Sequence, residues 1–478
     1  MKNHISYIRH FKPALLLLCA ALSSCSDFLD ETPKGNYIPK SIDDFGMMLD
    51  DYEIEGTVGK NRIGWGQSNT ITMTDDVQIT ASSLPLYTQT WGVNAYTWKD
   101  YLYEASEHDA DYENLYHVIY IANYIIEHIG EATPGSKFSR SEVEGAAYFH
   151  RANAYLNLVN EYAKHYNPET ADSDPGVSLI LSADPNLVLP RASVKEVYTQ
   201  ILNDGKKALE LCPETVEYSF RVNNTAAAAL LARATLFMGD YDACAGYAMD
   251  AVRKAGSPYD YNTVSPAMSN PDFGYVNFPS FNERYKYPDV INYKIATDAN
   301  YGYNSVLSDD LVALFDRNND LRFKLFVSTY SFFGMDIEPS GYCHYSYSAD
   351  TNRGYGVGEV YVTAAEALTR TGRLSEARDV LNTLLKSRIA SGAYTPVSED
   401  NADRLLSIVL DERRKELMFK GLRLFDLKRL NPDPRFRKTV THTFQGTVHT
   451  LSPDDPRYVL AIPINVIEIN PSITQNPR

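Results

Sequence analysis

Apolar residues recur every third or fourth position through residues 110–129, 141–165 and 194–211, with polar residues between them. That spacing draws one apolar stripe along a helix, so the pattern predicts three amphipathic helices. Two of them carry their own start signals. Ser139 with Glu142, and Ser193 with Glu196, have capping-box spacing. In that device a hydroxyl and a carboxylate each satisfy a backbone N–H of the first turn.

Farther along, one pattern is used twice. In 225–255 and in 359–390 a glycine, Gly239 or Gly372, separates two helical stretches. Seven residues before each glycine stands a small residue, Ala232 or Ala365, and five residues after it another, Cys244 or Ala377. Small side chains at those places let two antiparallel helices approach closely, as in tetratricopeptide repeats. The predicted fold class is mostly α: tetratricopeptide-like helical repeats packed against an irregular, loop-rich part with a few short strands. Three segments without long helical periodicity, 61–103, 257–306 and 328–357, hold 17 of the 35 tyrosines and all three tryptophans. Loops this long are usually functional or disordered, and such aromatic content argues against disorder.

The amino terminus adds a compartment. Lys2, Arg9 and Lys12 precede an apolar run through residues 13–22, which is too short to span a bilayer and has the form of a signal peptide. Leu22-Ser-Ser-Cys25 fits a bacterial lipobox, which makes Cys25 the expected acylated first residue of the mature chain. Acidic residues follow at Asp27, Asp30 and Glu31, similar to the surface-export signal of such lipoproteins. The net charge of −16 disfavours nucleic acid as a partner, and disfavours any electrostatic hold on anionic lipid. Once Cys19 and Cys25 are assigned to the leader and the lipid, Cys212, Cys244 and Cys343 remain. An odd number with no C-x-x-C pair predicts neither a disulfide framework nor a zinc site, and no cofactor is expected.

Residues 410–430 read as a charged helix with an abrupt end. Asp411 to Lys415 and Glu416 to Lys420 have the supportive i,i+4 order, and Gly421 sits where a helix C-cap glycine belongs. The pattern E-R-R-x-E-L-x-F-x-G-x-R-x-F-D-L-x-R, from Glu412 to Arg429, closely resembles the C-terminal signature of the SusD/RagB family of surface nutrient-binding lipoproteins. Ala461-Ile-Pro-Ile464, Glu468-Ile-Asn-Pro471 and Gln475-Asn-Pro477 are similar to that family's chain end, with the first read as a short strand. The resemblance implies a signal peptide over 1–24 and a lipid-anchored tether over 25–36. It implies an N-terminal helical region over 37–220 and a C-terminal region with repeats and aromatic loops over 221–478. It also implies a surface-exposed lipoprotein of the outer membrane that captures an oligosaccharide and passes it to a SusC-like, TonB-dependent transporter. Arg413, Glu416, Gly421, Arg423 and Asp426 then hold the scaffold.

Catalytic chemistry finds little support. No G-x-S-x-G, H-E-x-x-H or P-loop occurs. Asp316 to Val327 begins like an EF-hand loop but has Leu321 at position six and Val327 at position twelve. It thereby loses both the turn and the bidentate ligand, and reads as a turn followed by a strand starting at Asp320. Gly354-Tyr-Gly-Val-Gly358 reads as a turn into a repeat helix, and the acid pairs Asp75-Asp76, Asp309-Asp310 and Asp454-Asp455 as caps or solvated faces. No enzyme is expected. A sugar site needs flat aromatic platforms with carboxylate or amide partners. Residues 73–103 hold that inventory: Asp75, Asp76, Trp91, Asn94, Tyr96, Trp98 and Tyr101. Family resemblance points to the same stretch and to the central loops. The expected ligand residues are Asp75, Asp76, Trp91, Asn94 and Trp98, with Tyr301 and Tyr303. For Trp98 and Tyr101 the competing reading is packing under the following helix. A peptide-binding lid of the same family and a helical-repeat protein adaptor are the rival functions.

Overall fold

Both capping boxes form. Ser139 Oγ accepts from Glu142 N at 3.2 Å and Ser193 Oγ from Glu196 N at 3.2 Å, while each glutamate carboxylate returns to the serine N–H. They open two of the fourteen helices found among the described residues of the computed structural model. It describes residues 38–50 and 63–266, apart from 64, 67–68, 82, 85–89 and 105, then 275–276, 285–296, 306–328, 343–344 and 352–478. In chain order the helices are α1 Ile42–Leu49, α2 Thr90–Tyr96, α3 Ala110–His128, α4 Arg140–Tyr162, α5 Val194–Leu211, α6 Asn224–Met238 and α7 Tyr241–Ala255. They continue as α8 Asp309–Val312, α9 Leu321–Phe326, α10 Val357–Arg370, α11 Leu374–Arg388, α12 Ala402–Glu416, α13 Arg423–Leu430 and α14 Ile464–Ile469. No helix among the described residues is long and apolar enough to cross a membrane.

Each long helix packs on the next from α3 to α7, and α7 then packs on α10, which carries α11 and α12. The two glycine hairpins, far apart in sequence, are therefore neighbours in space. Gly239 and Gly372 end their first helices with φ of 75° and 77°, a left-handed backbone that glycine adopts without a Cβ penalty. The small residues do what their spacing predicts. Ala232, Cys244, Ala365 and Ala377 are all buried, and the Cys244 thiol lies 3.3 Å from the Ala232 carbonyl. Cys212 and Cys244 are free thiols whose burial pushes each pKa up to about 12. One hydrophobic core runs from Ile42 to Ile473, and a second, smaller one gathers Ile71, Val77, Tyr96, Leu307, Phe323 and Phe419 beneath the irregular part. Strands are short. The largest sheet has four, in the order Val327–Ser328, Cys343–His344, Val306–Leu307 and Val77–Gln78.

Buried ion pairs tie the repeats to one another. Arg233 of α6 grips Glu359 of α10 at 2.6 and 2.7 Å and lies 3.8 Å over the Tyr355 ring. Arg413 meets Asp426 at 2.9 Å, and Arg429 meets Glu366 at 2.6 Å. These are the Arg–carboxylate locks expected of the 410–430 block.

Four details of that block and its neighbours differ from expectation. The helix stops at Glu416, not Gly421; Leu417 to Phe419 form turns, and Gly421 takes its positive φ of 79° in the link to α13. Glu416 is not a surface residue paired with Lys420 alone, although Lys420 does attract it. It points inward between Arg388 and Arg322, because two buried guanidiniums need a counter-charge. Asp320 starts no strand but N-caps α9, its carboxylate accepting from Arg322 N at 3.0 Å. Ala461 to Pro463 likewise form no strand and lead straight into α14.

The glycine-rich entry to α10 has a packing reason. A Cβ on Gly358 would stand 1.8 Å from Glu416 Oε1, and one on Gly354 would stand 2.0 Å from the Asn292 carbonyl oxygen. Gly358→Ala is expected to lower stability by about 2–3 kcal/mol through overpacking against an ion-paired carboxylate. Thermal unfolding of the variant measures it, and an unchanged midpoint would show that the network yields freely.

Candidate ligand-binding site

Asp75 and Asp76 end the short link that leads to the strand at Val77. Arg423 reaches Asp75 through two nitrogens at 2.8 and 2.9 Å, Lys438 Nζ stands at 2.9 Å, and Arg414 holds Asp76 at 2.7 Å. Burial raises the pKa of Asp75, but Arg423, Arg414 and Lys438 more than reverse that and hold it well below the usual carboxylate range. For Asp76 burial wins over Arg414, and its pKa is raised. Asn94, on α2, donates to the Leu102 carbonyl at 2.8 Å. Trp98 is 1% exposed; its indole N–H donates to the Met73 carbonyl at 3.0 Å and its ring stacks on His442 at 4.2 Å. Trp91 is 8% exposed, with its ring 5.8 Å from that of Tyr103.

These positions correct the sequence reading. Asp75, Asp76, Asn94 and Trp98 are buried and bonded within the fold, where Asp75, Asp76 and Trp98 clasp the N-terminal segment to the C-terminal block and Asn94 braces its own turn. Trp91 is covered as well. Composition supplied the inventory of a sugar site, but the ion partners of Asp75 and Asp76, and the His442 ring on Trp98, come from residues more than 300 positions away, which no local pattern displays. Tyr301 and Tyr303 lie outside the described residues. Of the inventory in 73–103, Tyr101 is the one exposed member, at 42%.

Tyr101 stands at a cleft formed with Tyr103, Glu104, Glu107, Asp109 and the start of α14. The floor of the cleft is rigid. Tyr103 donates to Asn69 Oδ1 at 2.6 Å, and Asp109 accepts from Asn69 at 2.9 Å and from the Tyr162 hydroxyl at 2.7 Å. Burial raises the pKa of Asp109 and, with Asp111 and Asp109 beside it, raises that of Glu161 well above its ordinary value. The enclosed space is about 20 Å³, room for about one water molecule. A sugar could use only the open rim here: the Tyr101 ring with Glu104, Glu107 and Asn465.

A second aromatic group escaped the sequence reading. Tyr218 and Phe220 stack at 5.2 Å with ring planes 10° apart, and Tyr285 meets both edge-on at 5.7 and 5.5 Å. Beside them the Arg221 guanidinium lies 5.0 Å over Phe138 and 5.7 Å over Tyr218, and binds Asp50 at 2.8 and 3.1 Å. This group adjoins a cleft between α1, the start of α4 and Phe220 to Val222, again with about 20 Å³ enclosed. Its sequence signal was the alternation Tyr218-Ser-Phe-Arg221 in the link between two helices. Among the described residues no group of His, Cys, Asp and Glu has the arrangement of a metal site.

Comparison with known proteins gives two family matches. Residues 27–236 match a family described as starch-binding associating with outer membrane, and residues 345–478 match the SusD family. A putative sugar binding protein from Bacteroides vulgatus superposes with a TM-score of 0.69 at 20% identity, covering 92% of this chain and 99% of its own. A SusD superfamily protein from Bacteroides thetaiotaomicron gives 0.67 at 21% identity, covering 92% and 100%. A SusD-like carbohydrate binding protein from Bacteroides vulgatus gives 0.62 at 20% identity, covering 91% and 97%. No curated protein matches the chain. At such identities the structures share the fold, and their ligands remain their own.

Proposed function

Because the chain belongs to the SusD/RagB family, we propose that it is a carbohydrate-binding lipoprotein at the outer face of the outer membrane. It takes up an oligosaccharide and hands it to a SusC-like, TonB-dependent transporter. It performs no chemistry on the sugar. The observation that carries this reading is the double family match: the first half matches a family described as starch-binding and outer-membrane associated, and the last third matches the SusD family.

Two surfaces suit a sugar's apolar C–H faces and hydroxyls: the Tyr101 rim with Glu104, Glu107 and Asn465, and the Tyr218–Tyr285 group with Arg221. Both are open surfaces, which fits a long chain lying across the protein better than a small molecule enclosed in it. Acylation at Cys25 and docking on the transporter raise the local concentration, so each contact can be individually weak.

Affinity gel electrophoresis against a panel of soluble glycans tests the reading. The wild-type protein is expected to be retarded by at least one glycan. Tyr101→Ala, or Tyr218→Ala with Tyr285→Ala, is expected to weaken that retention about tenfold, the worth of one stacked ring. Retention by none of the glycans, with binding of an oligopeptide instead, would replace the sugar by a peptide. Full retention in all three substitutions would move the site off both surfaces.

A further inference from the structure

The cleft beside the Tyr218–Tyr285 group has one histidine in a largely apolar lining. Leu49 of α1, Val143 and Ala146 of α4, and Phe220 and Val222 of the link between α5 and α6 supply the apolar part, and all five are buried. Gly46 shapes the wall on the α1 side. A Cβ there would stand 2.3 Å from the Phe138 ring, so a larger residue would push that ring off the helix. The charged members of the lining are spoken for. Asp50 and Arg221 neutralise each other at 2.8 and 3.1 Å, and Glu142 is turned back to the Ser139 N–H that it caps.

The histidine is His150 of α4, which is 1% exposed. Its Nδ1 meets Lys294 Nζ at 3.0 Å, and Lys294 also donates to the Ile63 carbonyl. The backbone of Lys294 is fixed on both sides: its N–H donates to Asn352 Oδ1 at 2.9 Å, and its carbonyl accepts from Arg353 N at 2.8 Å. A charged amine offers donors only, so Nδ1 accepts and the ring proton sits on Nε2. Burial, with Lys294 beside it, holds the His150 pKa well below its ordinary value and keeps the ring neutral. Nε2 has no hydrogen-bond partner among the described residues, and it is not sealed from solvent. A buried N–H left unpaired costs about 1–3 kcal/mol, which an acceptor entering the cleft would recover.

The enclosed space of about 20 Å³ takes no sugar ring, but it takes the tip of a small substituent. Apolar walls with one neutral donor match an acetyl group, whose methyl packs on Val143 and Ala146 while its carbonyl oxygen accepts from His150. A hydroxymethyl group would bury its own O–H against apolar side chains, and a carboxylate would shed its water for a neutral imidazole alone. We propose that this cleft is a subsite for the acetyl group of an acetylated glycan, carried on nitrogen or on oxygen, with His150 Nε2 as its donor and the sugar ring against Tyr218. The inference rests on the carbohydrate-binding function proposed above and deepens it at the second of its two surfaces.

Affinity gels with matched glycan pairs test it, run at about pH 6, below the value of about 7 to which burial brings Lys294. Glycol chitin against hydroxyethyl cellulose exchanges an acetamido group for a hydroxyl. Acetylated glucomannan before and after mild alkali does the same for an ester. At least one acetylated member is expected to retard the protein about tenfold more strongly than its counterpart, and the pair that responds tells nitrogen from oxygen. His150→Asn can still accept from Lys294 but is too short to reach the cleft. Ala146→Val leaves Lys294 its partner and fills the space. Each is expected to cut the preference to about twofold or less. Retention of glycans without preference for the acetylated members overturns the subsite, leaves the cleft to water and lets the binding function stand. So does a preference that survives both substitutions. Retention by no glycan at all, with oligopeptide binding instead, overturns the subsite together with the function it rests on.

Discussion

Glu416→Ala is expected to lower the unfolding free energy by about 3–5 kcal/mol, the cost of removing one partner from a buried ion network. Glu416 is fully buried between two guanidiniums. Arg388 donates to it at 2.9 and 3.1 Å, and Arg322 at 3.2 Å. Arg388 also holds Asp289 at 2.6 Å and lies 4.0 Å over the Tyr261 ring; Arg322 also holds Asp320 and Glu412, each at 2.7 Å. The network therefore joins α9, α11 and α12 with the segment between α7 and α8 that carries Tyr261 and Asp289, and neither arginine can follow its lost partner into water. Glu416→Gln keeps the shape and one acceptor, and is expected to recover part of the loss. Equilibrium denaturation of both variants measures the difference. Equal stability of wild type and Glu416→Ala would show that the remaining carboxylates compensate completely.

The same carboxylate sets an acid limit. Burial raises the pKa of Glu416, but Arg388 and Arg322 overcome burial and hold it at about 2, against 4.5 for an ordinary glutamate. Asp426 is brought to about 2 in the same way by Arg413 and Arg429. A depressed pKa means stability that is present above the unfolded value and lost as pH falls toward the folded one. For Glu416 that amounts to about 3 kcal/mol between roughly pH 4.5 and pH 2. Glu161, with its raised pKa, works the other way. Its contribution is complete once pH has dropped below the ordinary glutamate value, so it adds no slope in the acid window. The wild-type protein is expected to lose stability steeply below about pH 4.5, and Glu416→Ala less steeply. A pH series of denaturation curves with parallel slopes would remove Glu416 as the cause.

Much of the scaffold was legible in the sequence, and for local reasons. Capping boxes, hairpin glycines and the small residues beside them act over twelve positions at most, so their partners are visible in the same stretch. The E-R-R-x-E block was legible as scaffold, but its end was not. Nothing local says that Glu416 is buried between Arg322 and Arg388 and not held by Lys420 alone. The site was the least legible part. Aromatic and acidic residues serve a sugar platform and a packed clasp equally well in composition. What separates the two is whether a partner covers them, and for Asp75 the partners are Arg414, Arg423 and Lys438. Tyr101 differs from Trp98 by three positions in sequence and by everything in exposure.

Trp98→Ala is expected to destabilise the protein by about 3–5 kcal/mol while leaving glycan retention intact in the folded fraction. Trp98 forms one face of a three-ring stack. His442 lies between it and Tyr96, 4.2 and 4.0 Å from the two centroids, with its ring nitrogens against the carbonyls of Tyr96 and Thr74 at 2.7 and 2.9 Å. His442 belongs to the C-terminal hairpin, Val440–Phe444 with Thr447–Leu451, so the stack docks the hairpin onto the segment that carries Asp75. Trp98 also adopts a left-handed backbone, φ 49°, which is unfavourable for a bulky residue and is held in place by the surrounding packing. Deleting the ring leaves the Met73 carbonyl without its indole donor, leaves one face of His442 bare and opens a cavity. Trp98→Phe keeps a ring on His442 but loses the donor and the indole's second ring, with an expected cost of about 2 kcal/mol, less than that of alanine. The two substitutions separate a structural role from a ligand role, because a sugar platform would tolerate Phe in stability and lose binding with Ala. Loss of glycan retention in Trp98→Ala at unchanged stability would return Trp98 to the binding site. A large fall in stability with retention preserved would confirm it as the clasp between the two ends of the chain.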